Sequence, residues 1–144
     1  MVTSVIVVGL TLIVHYEALR LASSALPKLP LPLRLRVLFV VFAAFLAHTI
    51  EVWLYAATYY VFVRVLGLGA FGGLQINDWH DYVYFSAITY TSLGLGDVFP
   101  LGQVRLITGV EALNGLLLIG WSASFTYLTM EKFWPLHVKG GAKK

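Results

Sequence analysis

Thr91-Ser92-Leu93-Gly94-Leu95-Gly96-Asp97 is the stretch whose residue types and spacing could do chemistry. Two glycines alternate with two leucines, two hydroxyl residues come before, and an acid and then Pro100 come after. Glycine reaches backbone dihedrals that other residues avoid. Set one residue apart, Gly94 and Gly96 would let a non-helical strand turn successive carbonyl oxygens to one side. Carbonyls facing an axis can replace the water around a monovalent cation. The chemistry is ion coordination by backbone oxygen. A plain turn between helices is the competing reading, and it leaves the hydroxyl pair and the acid unexplained.

Such a strand needs elements to hold it. The chain has 144 residues, 59% of them hydrophobic and 12% charged, with a mean hydropathy of +0.82. Soluble domains carry about 25% charged residues, so a single-domain membrane protein is expected. Cysteine is absent, which excludes disulfides and thiolate metal sites. The net charge of +3 comes from basic residues grouped around apolar segments, which does not suggest a nucleic-acid partner. Between Arg36 and Arg64 lie 27 residues interrupted only by His48 and Glu51 among acids and bases. As a helix they reach about 40 Å, more than a bilayer core requires.

The expected order is an N-terminal hydrophobic helix over 1–26, a Pro-rich basic linker over 27–35 and an outer helix over 36–66. A glycine-rich turret follows over 67–78, then a short helix over 79–91 capped by Asn77 or Asp78, and the glycine strand over 92–96. An inner helix over 103–134 and a basic tail over 135–144 complete it. The short helix cannot span, and a non-helical strand at membrane depth must be surrounded by protein or line water. Residues 1–26 admit a spanning helix or one lying in the interface. A cleaved signal is disfavoured, because no basic residue precedes the apolar run. Arg20, Lys28, Arg34 and Arg36, with Lys132, Lys139, Lys143 and Lys144, belong on the cytoplasmic side. Asp78, Asp81 and Asp97 then face outward.

Tyr84-Phe85-Ser86-Ala87-Ile88-Thr89-Tyr90-Thr91-Ser92-Leu93-Gly94-Leu95-Gly96-Asp97, with Pro100 beyond, resembles the pore helix and selectivity filter of tetrameric potassium channels. The resemblance covers roughly residues 36–134 and is to the small bacterial two-helix channels, here with an added N-terminal segment. It implies an all-α membrane fold in which two spanning helices flank a re-entrant pore helix and filter. It also implies a homotetramer, with three identical subunits and the lipid bilayer as partners, in the plasma membrane. No cofactor beyond the permeant potassium ion, no nucleic acid and no enzymatic activity are implied. By the same resemblance the carbonyls of Ser92, Leu93, Gly94 and Leu95 hold potassium, and the Ser92 hydroxyl forms the innermost ring. Gly96 closes the filter, and Thr91, Asp97, Tyr84 and Phe85 support it. Three positions depart from the family. Leu95 replaces a tyrosine, so packing on Tyr84 and Phe85 is expected instead of a hydroxyl bond. Ser92 replaces threonine, and Ile88 stands where some relatives place a glutamate. A non-selective sodium/potassium channel therefore remains the alternative.

Intramembrane ionisable groups are functional candidates. His48 and Glu51 share one helix face, as do Glu111 and Asn114. Facing polar clusters that lock the helices are expected, with a proton-sensitive His48–Glu51 switch as the second reading. A membrane metalloenzyme using His48, Glu51 and Glu111 is a remote third, because di-iron bundles need more carboxylates in the opposite order. Gly115 and Gly120 are candidate hinges or close-packing points. Ser122, Ser124 and Thr126 are expected along an inner cavity. Phe125, Tyr127, Phe133 and Trp134 are placed at the inner mouth or interface, and Trp53, Tyr55, Tyr59 and Tyr60 in an outer aromatic belt.

Overall fold

The computed structural model describes residues 1–133. Trp134 and the tail lysines fall outside the described residues, as does the side chain of Phe133. Helix α1 runs Val2–Ala25 and passes through a 3-10 turn, Leu26–Lys28. Helix α2 runs Leu33–Tyr60 and continues as a π-helical turn, Val61–Val65. Strand β1 (Gly69–Gly73), helix α3 (Trp79–Tyr90), strand β2 (Val98–Gly102) and helix α4 (Val104–Phe133) follow.

Three helices are long and apolar enough to cross a membrane: Val2–Lys28, Leu35–Val65 and Val104–Lys132. The expected linker is shortened, because α2 begins at Leu33 rather than 36. Pro32 immediately precedes it, where a missing N–H costs nothing. Its regular α-helix ends six residues short of the expected 66, and the wider π turn takes up five of them.

Helix α1 packs on both α2 and α4. Its buried residues are Ser4, Val7, Thr11, His15, Leu19 and Ala22, one stripe at helical spacing. Its large apolar residues Val5, Ile6, Leu12, Ile13 and Leu21 face outward. This inversion suits lipid, where tails are as apolar as leucine and polar or small side chains drive helix contact. The stripe runs the length of α1 and is laid against α2 and α4.

The turret expected as a flexible loop contains a strand. β1 pairs antiparallel with β2, with Phe71 opposite Pro100 and Gly73 opposite Val98. The Leu74 N–H extends the pairing to the Asp97 carbonyl at 2.8 Å. The ladder clamps the base of the loop that carries α3 and residues 92–96. Phe71 from β1 stacks edge-on against Phe85 of α3 at 4.6 Å and Tyr59 of α2 at 5.8 Å. The core therefore sits where α2, α3, α4 and the ladder meet, around Tyr55, Tyr59, Tyr82, Phe85, Tyr90, Val104 and Ile107.

Candidate functional site

Helix α3 is fixed at its start by a reciprocal cap. The Asp78 carboxylate accepts the N–H of His80 at 3.0 Å, and Asp81 accepts the N–H groups of Asn77 at 2.7 Å and Asp78 at 3.1 Å. Those two backbone bonds hold the Asp81 carboxyl below its ordinary value of 3.8. Arg64, in the π turn, donates to the Tyr82 hydroxyl at 3.2 Å and to the Asn77 carbonyl at 3.0 Å. The end of α2 thereby grips the start of α3.

The far end of α3 leads directly into the glycine strand. Thr91 is its C-cap, and Ser92 takes φ +58°, the one non-glycine residue with positive φ among those described. Its N–H donates to the Thr89 carbonyl at 2.8 Å, and the Gly94 N–H donates to Ile88 at 3.0 Å. Ser92 thus fills the left-handed stop position that glycine usually takes. Gly94 and Gly96 follow with φ +50° and +80°. The sign of φ alternates along Ser92-Leu93-Gly94-Leu95-Gly96. Alternating handedness flips each peptide plane, which gathers like backbone dipoles on one side.

Leu93 and Leu95 are 62% and 60% exposed, so the expected packing of Leu95 on Tyr84 and Phe85 is not what forms. Phe85 is committed to Phe71 and to Tyr59 at 5.2 Å. Tyr84 donates its hydroxyl to Asp97 at 2.6 Å. That bond raises the Tyr84 phenol above its ordinary 10.0. A tyrosine–aspartate brace therefore ties the residue after the glycine strand back to α3.

Two carboxylates inside the helix bundle hold α3 from behind. Glu51 of α2 accepts a short bond from the Tyr90 hydroxyl. Glu111 of α4 accepts one from Tyr59, and Ser86 Oγ of α3 lies 2.5 Å from its Oε1. Both acids are fully buried. The expected pairing of a His48–Glu51 cluster with a facing Glu111–Asn114 cluster is corrected, because each group binds separately. Asn114 donates its amide to Thr11 of α1 at 2.8 Å and to Tyr55 at 3.2 Å.

His48 Nδ1 does lie 3.1 Å from Glu51 Oε2, but a second imidazole joins them. His15 Nδ1 of α1 is 2.9 Å from Glu51 Oε1. The donor atoms of His15, His48 and Glu51 lie within 4.8 Å of one another, a set that could hold a metal. The structure thus splits the His48, Glu51 and Glu111 trio and substitutes His15. The sequence carried a usable signal, since Ser4, Thr11 and His15 fall on one face of α1.

Other expectations are redistributed. Ser122 is buried 3.2 Å from His15 Nε2, so it does not line a cavity. The Ser124 hydroxyl donates to the Gly120 carbonyl on an exposed face. Tyr55 and Tyr59 are fully buried hydrogen-bonding residues, leaving Trp53 and Tyr60 exposed from the expected belt. Gly115 lies where an added Cβ would meet the Tyr90 carbonyl oxygen at 2.0 Å, whereas Gly120 has open space. Gly115 serves close approach of α4 to the end of α3.

The architecture is a short helix and glycine strand slung between two long apolar helices. The family described as "ion channel" matches residues 35–132, from the first turn of α2 to the end of α4. No curated protein and no solved structure matches the chain. A match over more than half of the sequence, on the elements that frame the glycine strand, establishes that this membrane protein belongs to the ion channel family.

Proposed function

We propose that four copies of this chain surround a common axis and pass potassium passively through a filter made of residues 92–96. The observation that carries the reading is the positive φ at every second residue, Ser92, Gly94 and Gly96, on a strand left exposed by its own chain. Carbonyls of Ser92, Leu93, Gly94 and Leu95, repeated from four chains, would supply rings of oxygen around a dehydrated ion. The C-terminus of α3 adds the partial negative charge of its helix dipole near the innermost ring. Leu113, Leu116 and Leu117 of α4 are also exposed, giving neighbouring copies an apolar face to cover. A closed ring is required, because one strand offers oxygens on one side only. Asp97 at the outer mouth would draw cations toward the rings, with Tyr84 keeping its carboxylate in place.

Reversal potentials in planar bilayers, with potassium on one side and sodium on the other, test this reading. A potential near the potassium equilibrium value supports it. A value near zero assigns the alternative, a non-selective monovalent cation pore, and absence of alkali-ion current refutes both. Native mass spectrometry tests the copy number and is expected to give four chains.

A further inference from the structure

We infer that His15, His48 and Glu51 form a binding site for a divalent cation of the zinc class, joining α1 to α2 beside the end of α3. The inference does not depend on which ion crosses the pore. Two imidazole nitrogens and a carboxylate converge from two helices: His15 Nδ1 is 2.9 Å from Glu51 Oε1, and His48 Nδ1 is 3.1 Å from Glu51 Oε2. Around a tetrahedral zinc with bonds of about 2.0–2.1 Å, ligand atoms stand roughly 3.3 Å apart. Ligand atoms within 4.8 Å of one another reach that spacing through small side-chain rotations. Three protein ligands leave a fourth position for water. The Tyr90 hydroxyl lies 2.9 Å from His48 Nδ1.

The surroundings are those a metal-bound imidazole needs. When Nδ1 binds metal, the proton sits on Nε2 and must be donated onward, which fixes the ring. His15 Nε2 has Ser122 Oγ at 3.2 Å, and the Trp121 ring packs against His15 at 5.4 Å. His15 and Glu51 are fully buried and the His48 side chain is 19% exposed. The groups bonded to the Glu51 carboxylate are two imidazoles and a phenol. The donor set of two nitrogens and one oxygen suits zinc over calcium or magnesium.

The test uses the full-length chain in detergent, stripped with EDTA, desalted, and then titrated with Zn²⁺ and separately with Co²⁺. The expected result is about one metal per chain, and with Co²⁺ the visible absorption of a four- or five-coordinate nitrogen/oxygen site. His15→Gln and His48→Gln should each abolish stoichiometric binding. Ser122→Ala, which removes only the partner of His15 Nε2, should weaken it about 10–100-fold. His80→Ala, altering an exposed imidazole near Asp78, should leave it unchanged. If His15→Gln fails to assemble, His48→Gln and the wild-type cobalt spectrum still decide. Absence of bound metal in the wild type overturns the inference. So does binding undiminished by the histidine variants, which would put the metal elsewhere on the chain.

Discussion

Ser92 concentrates two opposed requirements in one residue. Its φ of +58° costs a side-chain-bearing residue about 1–2 kcal/mol, yet its hydroxyl is the group the proposed filter uses at its inner end. Ser92→Gly should therefore raise thermal stability by about 1 kcal/mol while reducing the preference for potassium in reversal-potential measurements. A stabilised variant with unchanged selectivity would remove the hydroxyl from the ion path. Tyr84 makes a second residue-scale case. Tyr84→Phe deletes only the donor to Asp97, so folding should be nearly unchanged while current declines or runs down during sustained recording. Because that bond raises the phenol pKa above 10.0, the brace is complete below pH 10 and fails only as pH rises past the elevated value.

At the scale of elements, α3 is held at both ends by different chemistry, and each hold can be tested alone. Asp78→Ala removes an N-cap at a cost of about 1 kcal/mol, read as a lower melting temperature. Asp81 contributes through a depressed pKa, so its effect is present above pH 3.8 and is lost as pH falls through the lower folded value. The melting difference between wild type and Asp81→Asn should accordingly vanish in strong acid. At the other end, Gly115→Ala places a methyl 2.0 Å from the Tyr90 carbonyl oxygen. Overpacking of that kind costs about 1–3 kcal/mol, and displacing α4 from α3 should also silence the current, whereas Gly120→Ala should not. Much of this arrangement was legible in the sequence, because apolar length, the Asp78 cap and the glycine spacing are local signals. The β1–β2 ladder was not, since Gly69–Gly73 has no alternating pattern and its partner lies beyond α3. Nor were the partners of Glu51 and Glu111: i,i+3 spacing finds neighbours on one helix, but Tyr90, Ser86 and His15 arrive from others.

For the whole molecule, the question is whether α1 belongs to the channel domain or merely accompanies it. The family match starts at residue 35 and leaves α1 outside, yet α1 sends Thr11 to Asn114 of α4 and His15 to Glu51 of α2. Lipid offers no hydrophobic reason for α1 to stay, so these polar contacts, with the small residues of its buried stripe, must supply the association. The Thr11–Asn114 bond suits measurement because Thr11→Val keeps the shape of the side chain and removes only the hydroxyl. Thr11→Val and Asn114→Leu, made singly and together, should show a coupling of about 0.6 kcal/mol, with an upper range near 1.7 kcal/mol, in unfolding titrations of the detergent-solubilised protein. The double variant should then be less destabilised than the two single effects summed. Strict additivity would mean that the hydroxyl and the amide do not interact, and α1 would be held by the His15 contacts to Glu51 and Ser122 and by packing of Ser4, Val7, Leu19 and Ala22. Since Asn114 adjoins Gly115, where α4 touches the end of α3, a real coupling would connect the N-terminal helix to the backbone just before the glycine strand.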